Sequence, residues 1–384
     1  MNDLRCYDLI IKRAKNLDGS LADIAIRDGK VAALGLLPED ATARQTLDLH
    51  GGVYVSAGWI DSHVHCYPKS PVYHDEPDLV GVAGGVTSVV DAGSTGADDV
   101  EDFHRLACQA ETHVYALLNI ARTGIATQSE LADMARIDQN AVHTAIKQYP
   151  GFIIGIKARM SSSVVGLNGT KPLVSAKEIQ RRHPQLPLMV HIGNNPPVLD
   201  DIADLLTEGD IITHCYNGKP NRILTPSGEL RDSIKRALGR GVRLDVGHGS
   251  ASLSFAVAEQ AIRQGIFPYT ISSDIYCRNR LNGSVQGLAW VMSKFLTLGL
   301  SLEHVIDCVT CHAADALRLA GKGRLAVGAD ADLTLFDLYT APQVFVDSEG
   351  QSARGECRLA PLAAVVAGKI LLTDEGKARN DVHL

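Results

Sequence analysis

The chain is poor in aromatic residues, in clustered cysteines and in long apolar runs. Phe, Trp and Tyr together make up 5% of its 384 residues, and the 8 cysteines are scattered along the chain. This spacing differs from the dense framework of a small disulfide-linked domain, so we expect free thiols. Apolar stretches such as KFLTLGLSLEHVI are too short or too interrupted by charge to cross a bilayer. We therefore expect neither a disulfide-stapled domain nor a membrane-spanning protein.

Basic runs are also missing, and the formal net charge is -7. The sequence therefore lacks the basic segment expected of a protein that binds nucleic acid or an anionic membrane, and we expect a small-molecule substrate instead. The start of the chain, MNDLRCYDLIIKRAKNLDGS, lacks the basic, apolar and small-residue regions of a signal peptide. We predict a soluble, cytoplasmic protein and leave open whether it forms a homo-oligomer.

One cysteine pattern, Cys308–His312, has the spacing of a covalent haem attachment site. It falls in SLEHVIDCVTCHAADALRLAG, where apolar residues recur at helical spacing and Gly321 supplies a stop signal. We interpret this segment as a packed helix with buried thiols.

Eight short segments rich in aliphatic residues recur, each followed by a loop and a stretch compatible with a helix. They are VYVSAGWIDSHVH, GVTSVVDAG, HVYALLNI, FIIGIKARM, PLMVHIG, DIITHCYNG, VRLDVGHG and PYTISSDIY. Nearly continuous apolar runs are typical of parallel strands covered on both faces. Eight such units predict a (β/α)8 TIM barrel over residues 56–321, with a doubly wound open sheet as the alternative.

The two ends of the chain have a different residue pattern, in which short segments typical of β-strands are separated by the turn residues Asn, Asp and Gly. Because the termini of a domain often lie close together, we predict that residues 1–55 and 322–384 form one small β-sandwich domain. The barrel would then be inserted between the two parts of this domain.

Polar groups able to bind metal stand near the ends of several predicted strands. His63 and His65 lie two residues apart and can face the same side of a strand. A His-x-His pair alone is weak evidence, since ordinary histidines share this spacing. Later strands end near Lys157, His191, His214 and Asp274. Because barrel active sites are assembled from several strand ends, this recurrence predicts a metal site.

Lys157 follows five largely apolar residues, where an unpaired ammonium would be costly to bury. The side chain could reach out of the barrel mouth or pair with Asp274. As a metal ligand it would have to lose its charge, since an ammonium has no lone pair. Carbamylation by CO2 would create a carboxylate able to bridge two cations.

The ordered set resembles the amidohydrolase superfamily, in its branch with two metals and a carboxylated lysine. This resemblance covers essentially the whole chain and implies that His63, His65 and Asp274 hold one ion. His191 and His214 would hold the other, and carboxylated Lys157 and a hydroxide would bridge the two. Zinc is the expected ion. The hydroxide would attack a carbonyl, with Asp274 as catalytic base and then acid.

The substrate is indicated by departures from the family pattern. Dihydroorotase-like members would carry an arginine where this chain has Tyr67. Arg159 can replace it as the group that binds a substrate carboxylate, or it can be solvated or paired with an acidic residue. His248, at the end of the seventh predicted strand, is expected to contact substrate, with a supporting loop histidine as the alternative.

The segments IKARMSSSVVGLNG, THCYNG and DVGHG resemble a deacetylase-type subgroup near dihydroorotases and D-aminoacylases. This resemblance implies hydrolysis of an acyl group, expected to be acetyl, from an α-hydroxy or α-amino carboxylate. A cyclic amidohydrolase or a nucleobase deaminase is the alternative, because the same metals serve both. A non-enzymatic scaffold on this fold is disfavoured, since all six ligand positions are filled.

Overall fold

The protein is described here by a computed structural model that covers residues 6–379, in which two sheets organise the chain. The strands are β1 (Cys6–Lys15), β2 (Leu21–Arg27), β3 (Lys30–Gly35), β4 (Thr42–Asp48), β5 (Tyr54–Ala57), β6 (Trp59–Val64), β7 (Val86–Ala92), β8 (His113–Asn119), β9 (Ile153–Met160), β10 (Leu188–Ile192), β11 (Ile211–Thr213), β12 (Arg243–Asp245), β13 (Leu333–Val346), β14 (Ser352–Val366) and β15 (Lys369–Leu372). The helices are α1 (Pro77–Val80), α2 (Val100–Ala107), α3 (Gln139–Gln148), α4 (Ser162–Val165), α5 (Lys171–Arg181), α6 (Leu199–Leu205), α7 (Asp232–Gly239), α8 (Phe255–Arg263), α9 (Cys277–Asn282), α10 (Leu288–Thr297), α11 (Leu302–Val309), α12 (Cys311–Leu317) and α13 (Asp374–Ala378).

Strands β6 to β12 form a curled parallel sheet of 7 strands in which neighbours in sequence are neighbours in space. Helices connect these strands, as parallel pairing requires. Strands β7 and β9 are buried at every position, which explains why their sequences are apolar without alternation. Seven of the eight predicted barrel segments are thus confirmed as parallel strands.

The eighth predicted segment differs, because residues 268–276 form no regular strand. Single bridges join Thr270 to Asp245 on one edge of the sheet and Ile275 to Val64 on the other. Asp274 has φ = 50°, a left-handed conformation that interrupts an extended chain. The segment therefore lies between the two edge strands, and regular strand pairing does not close the barrel.

The second sheet takes its strands from both ends of the chain, in the order β15-β14-β13-β5-β1-β2-β3, with β4 pairing to β1. Aliphatic residues such as Leu9, Ile24 and Leu335 form its core. The predicted sandwich is thus observed as one connected, branched sheet of 8 strands. Where one domain ends and the other begins stays a prediction.

The first predicted barrel segment is divided between the two sheets. Strand β5 pairs with β13 in the terminal sheet, and β6 begins the parallel sheet directly after Gly58. A Cβ at Gly58 would lie 2.2 Å from Thr87 Oγ1, so only glycine lets the backbone approach β7 this closely. This close approach separates the two strands.

The segment around Cys308–His312 is helical, as predicted, but it forms two helices. Helix α11 ends before Thr310, whose φ of -125° and ψ of -99° are not helical, and α12 begins at Cys311. Cys308 is buried and Cys311 is half-buried, and all 8 cysteines are free thiols, which confirms that prediction. Between residues 6 and 379, no helix combines the length and apolar character that a membrane span requires.

Candidate metal and active site

All of the predicted metal-binding residues line one cavity that opens to solvent. They are His63, His65, Lys157, His191, His214 and Asp274. The carboxyl ends of parallel strands meet at one edge of the sheet, and five of these side chains stand near those ends. Asp274 lies in the irregular segment 268–276. The structure therefore assembles the group that the sequence predicts.

Three of these side chains bring possible ligand atoms within 4.8 Å of one another: His63, His65 and Asp274. Asp274 Oδ1 lies 3.4 Å from His63 Nε2 and 3.1 Å from His65 Nε2. Two imidazole nitrogens and a carboxylate oxygen are a donor set suited to zinc and other divalent transition metals.

Hydrogen bonds to the remote ring nitrogens leave the cavity-facing nitrogens free. Thr213 Oγ1 donates its single hydrogen to Asp245 Oδ2 at 2.6 Å, so it can only accept from His63 Nδ1, 2.9 Å away. His214 Nδ1 must likewise donate to the carbonyl of Gly247 at 2.6 Å. Both Nε2 atoms therefore carry an unshared electron pair, which is the state that a metal ligand requires.

Asp245 anchors this arrangement from beneath the cavity. Its carboxylate accepts hydrogen bonds from Thr213, from Thr270 at 2.6 Å and from Ser272 at 2.7 Å. Burial raises the pKa of Asp245, and these hydroxyl donors act in the opposite direction. The sequence analysis did not assign Asp245 a role, because these partners come from two other segments of the chain.

Lys157 is fully buried, and its Nζ lies 3.2 Å from His63 Nε2. Burial lowers the pKa of Lys157 to about 7, although the charge of Asp274 works against this shift. A substantial fraction of the amine is thus neutral near pH 7. A neutral amine is the form that can react with CO2.

Asp274 and His214 both have left-handed backbone conformations, with φ = 50° and φ = 66°. Non-glycine residues adopt this region at a cost and are often found at functional sites. Burial alone would raise the pKa of Asp274, but the neighbouring His63 and His65 outweigh burial and lower it. Asp274 is therefore held as a carboxylate.

Arg159 also lines the cavity, and the structure pairs it with an acidic residue. Its Nε lies 2.6 Å from Glu130 Oε1 and its Nη2 lies 2.5 Å from Glu130 Oε2. Glu130 is fully buried and Arg159 is 5% exposed. Arg159 is therefore paired with an acidic residue, which is one of the alternatives given in the sequence analysis. The carboxylate of Glu130 compensates its charge.

His248, which the sequence analysis expects to contact substrate, is not among the residues that line the cavity. Its Nε2 is 2.6 Å from Lys294 Nζ, and its Nδ1 is 2.8 Å from the carbonyl of Gly249. Lys294 also donates to the carbonyls of Ser284 and Val346, both at 2.7 Å. Both ring nitrogens thus have partners within the protein, and contact of His248 with substrate stays a prediction.

Tyr67, which stands where an arginine would indicate dihydroorotase, points into the core. Its ring packs on Phe103 with centroids 5.3 Å apart, and its hydroxyl donates to Asp102 at 3.0 Å. The remaining residues of the cavity lining were not assigned from sequence; they are Tyr73, Lys219, Ser250, Ala251, Ser252 and Tyr276. They lie in loops that lack a periodic pattern, so no local signal marked them.

The sequence model of the amidohydrolase family matches residues 54–370, which include every residue of the cavity lining. The chain belongs to the amidohydrolase family. Membership of this family shows that the protein is a hydrolase, and it implies that the activity depends on two metal ions. It acts on a small-molecule substrate.

Similar proteins carry different names. A deacetylase of Enterococcus faecalis is 44% identical over 365 residues, covering 95% of this amidohydrolase and 99% of the relative. A crystal structure titled an adenine deaminase has a TM-score of 0.93 at 44% identity, covering 96% of this chain and 100% of that one. A crystal structure titled a dihydroorotase has a TM-score of 0.86 at 33% identity, covering 95% and 97%. The names agree on the hydrolase class and differ on the substrate.

Proposed function

We propose that this protein is a metal-dependent deacylase that removes an acyl group, expected to be acetyl, from an α-hydroxy or α-amino carboxylic acid. The observation that carries the proposal is the convergence of His63, His65, His191, His214, Lys157 and Asp274 on one cavity. Two of the histidines present unprotonated nitrogens there, held by Thr213 and Gly247. This donor set fits the metal ions that the family implies.

His63, His65 and Asp274 would hold one ion, and His191 and His214 the other, with carboxylated Lys157 shared between them. Zinc is the expected metal, given imidazole and carboxylate ligands. Divalent ions bound in such a site lower the pKa of water and polarise a carbonyl group. The neutral amine of buried Lys157 supports the carboxylation.

Asp274 is the catalytic residue of the proposal. Its ionised carboxylate faces the cavity and can take a proton from the attacking water. The same oxygen then gives this proton to the leaving oxygen or nitrogen as the bond to the acyl carbon breaks. The products are acetate and the free hydroxy or amino acid. The second proton of the attacking water goes to solvent when an ester is cleaved and to the liberated amine when an amide is cleaved, so atoms and charges balance.

The Enterococcus faecalis relative is named a deacetylase, and this name supports the proposed reaction. The similarity to that relative covers nearly the whole of both chains. The second candidate is ring opening or deamination of a cyclic amide or a nucleobase. The crystal structure titled an adenine deaminase, with a TM-score of 0.93, favours that candidate. Release of acetate or of ammonia distinguishes the two.

The test is a screen of the zinc-loaded protein against acetylated hydroxy acids, N-acetyl amino acids, hydantoins and adenine. We expect acetate release, with loss of turnover in Lys157→Ala and a roughly 10²–10⁴-fold loss in Asp274→Asn. Exposed Lys235, on helix α7, supplies the matched control Lys235→Ala, which should behave as wild type. Ammonia release or ring opening without acetate release would favour the second candidate, and unchanged turnover in Lys157→Ala would refute the bridging role.

A further inference from the structure

Lys219 lines the same cavity and has no assigned role. It follows strand β11 in a turn fixed to His214, because Asn217 Nδ2 donates to the His214 carbonyl at 2.8 Å. The backbone N–H of Lys219 in turn donates to Asn217 Oδ1 at 2.9 Å. The position of Lys219 relative to the predicted metal ligands is therefore set by hydrogen bonds.

The stem of Lys219 and the imidazole of His191 both border Gly193. A Cβ built on Gly193 would lie 3.5 Å from Lys219 Cδ and 3.7 Å from His191 Nε2. The same Cβ would be 2.9 Å from Ser161 Oγ, which is too close for a real side chain. Glycine at position 193 thus leaves room for both side chains at the wall of the cavity.

Lys219 brings to the cavity an ammonium that has no carboxylate partner among residues 6–379. It makes no salt bridge and no side-chain hydrogen bond there, although the residue is only partly exposed. Arg159 is compensated by Glu130 at 2.5 Å, and Lys157 lies against His63. A charged group that is half-buried without a partner is costly, and an anionic ligand would relieve this cost.

We propose that Lys219, and not Arg159, binds the carboxylate of the substrate, because Glu130 already compensates the charge of Arg159. This inference rests on the proposed deacylase function and moves substrate recognition from Arg159 to Lys219. It identifies the ligand class as small acylated carboxylic acids. Neutral adenine has no negative charge to compensate the ammonium, so the same feature weighs against a nucleobase substrate.

The test uses a stable analogue that separates binding from turnover. N-(methylsulfonyl)alanine, as each enantiomer, carries the carboxylate but no hydrolysable acyl group, and its carboxamide serves as the neutral partner. Calorimetric titration of the zinc-loaded protein should show tighter binding of the carboxylate than of the carboxamide. In Lys219→Met the affinity for the carboxylate should fall roughly 10- to 100-fold, and that for the carboxamide should stay unchanged.

Lys219→Arg retains the charge and should stay within a few-fold of wild type, and Lys235→Met is the matched surface control. With an acetylated acid, Lys219→Met should raise KM by the same factor and leave kcat nearly unchanged, at unchanged zinc content. Equal weakening of both ligands, no weakening, or no binding of the carboxylate to wild type would overturn the proposal. If the carboxylate preference holds but no acetate is released from any acetylated acid, the deacylase function fails and the Lys219 site stands.

Discussion

The hydrogen-bonded chain from His63 through Thr213 to Asp245 can be broken with one substitution of similar shape. Thr213→Val removes the hydroxyl that accepts from His63 Nδ1 at 2.9 Å and donates to Asp245 at 2.6 Å. His63, Thr213 and Asp245 are all at most 1% exposed, so water cannot replace the lost partner. The ring of His63 would lose the contact that fixes its tautomer and orientation.

Two separate losses follow from this geometry. A buried donor left without an acceptor costs about 1–3 kcal/mol of unfolding free energy. Loss of a group that orients a metal-binding histidine typically lowers metal affinity about 10- to 100-fold. The matched control is Thr270→Val, because Thr270 donates to Asp245 Oδ1 at the same 2.6 Å but has no hydrogen bond to His63.

We expect urea unfolding of the metal-free protein to show a similar loss, about 1–3 kcal/mol, in both variants. Zinc affinity, measured by competition with a chromophoric chelator, should fall about 10- to 100-fold in Thr213→Val and stay near wild type in Thr270→Val. Equal zinc affinities in the two variants would refute the reasoning, since they would show that Thr213 does not prepare His63 for a metal.

Glu130→Gln leaves the guanidinium of Arg159 buried without its carboxylate, so urea unfolding should show a loss of about 3–5 kcal/mol. The double variant Glu130→Leu with Arg159→Met should recover most of this loss, and a single-variant loss below about 1 kcal/mol would contradict the pairing argument. Burial lowers the pKa of His214 to about 4 from the ordinary 6.5, so the unfolded chain binds the proton first. Stability of the metal-free protein is therefore retained above pH 6.5 and should fall as the pH drops from about 6.5 to about 4. Denaturant titrations in chelator across this range should show a shallower slope in His214→Gln, and identical slopes would exclude His214 as the source.

Seven parallel strands could be predicted because each carries its signal locally. The uninterrupted apolar sequence of β9 reflects burial on both faces, and this burial is a property of any parallel strand in such a sheet. The candidate metal ligands of strands β6 to β11 could be predicted for a related reason. Their positions at strand ends follow from the strand register alone, as for His191 in β10 and His214 directly after β11.

Irregular backbone could not be predicted in the same way. The eighth segment reads as a strand, but Ser273 donates its hydroxyl hydrogen to Asp61, and Asp274 adopts a left-handed conformation. The division between β5 and β6 depends on the approach of Gly58 to Thr87. These contacts join residues that are distant in sequence, so no local sequence pattern predicts them.

The sequence by itself determined the parallel architecture and the set of candidate metal ligands, since periodicity and strand-end position are local properties. Only the tertiary structure decided which cation faces the cavity uncompensated. Arg159 is paired because the fold places Glu130 at 2.5 Å, and Lys219 is left without a partner among the described residues. The effective charge of a side chain depends on its neighbours in space, and those neighbours come from other segments of the chain.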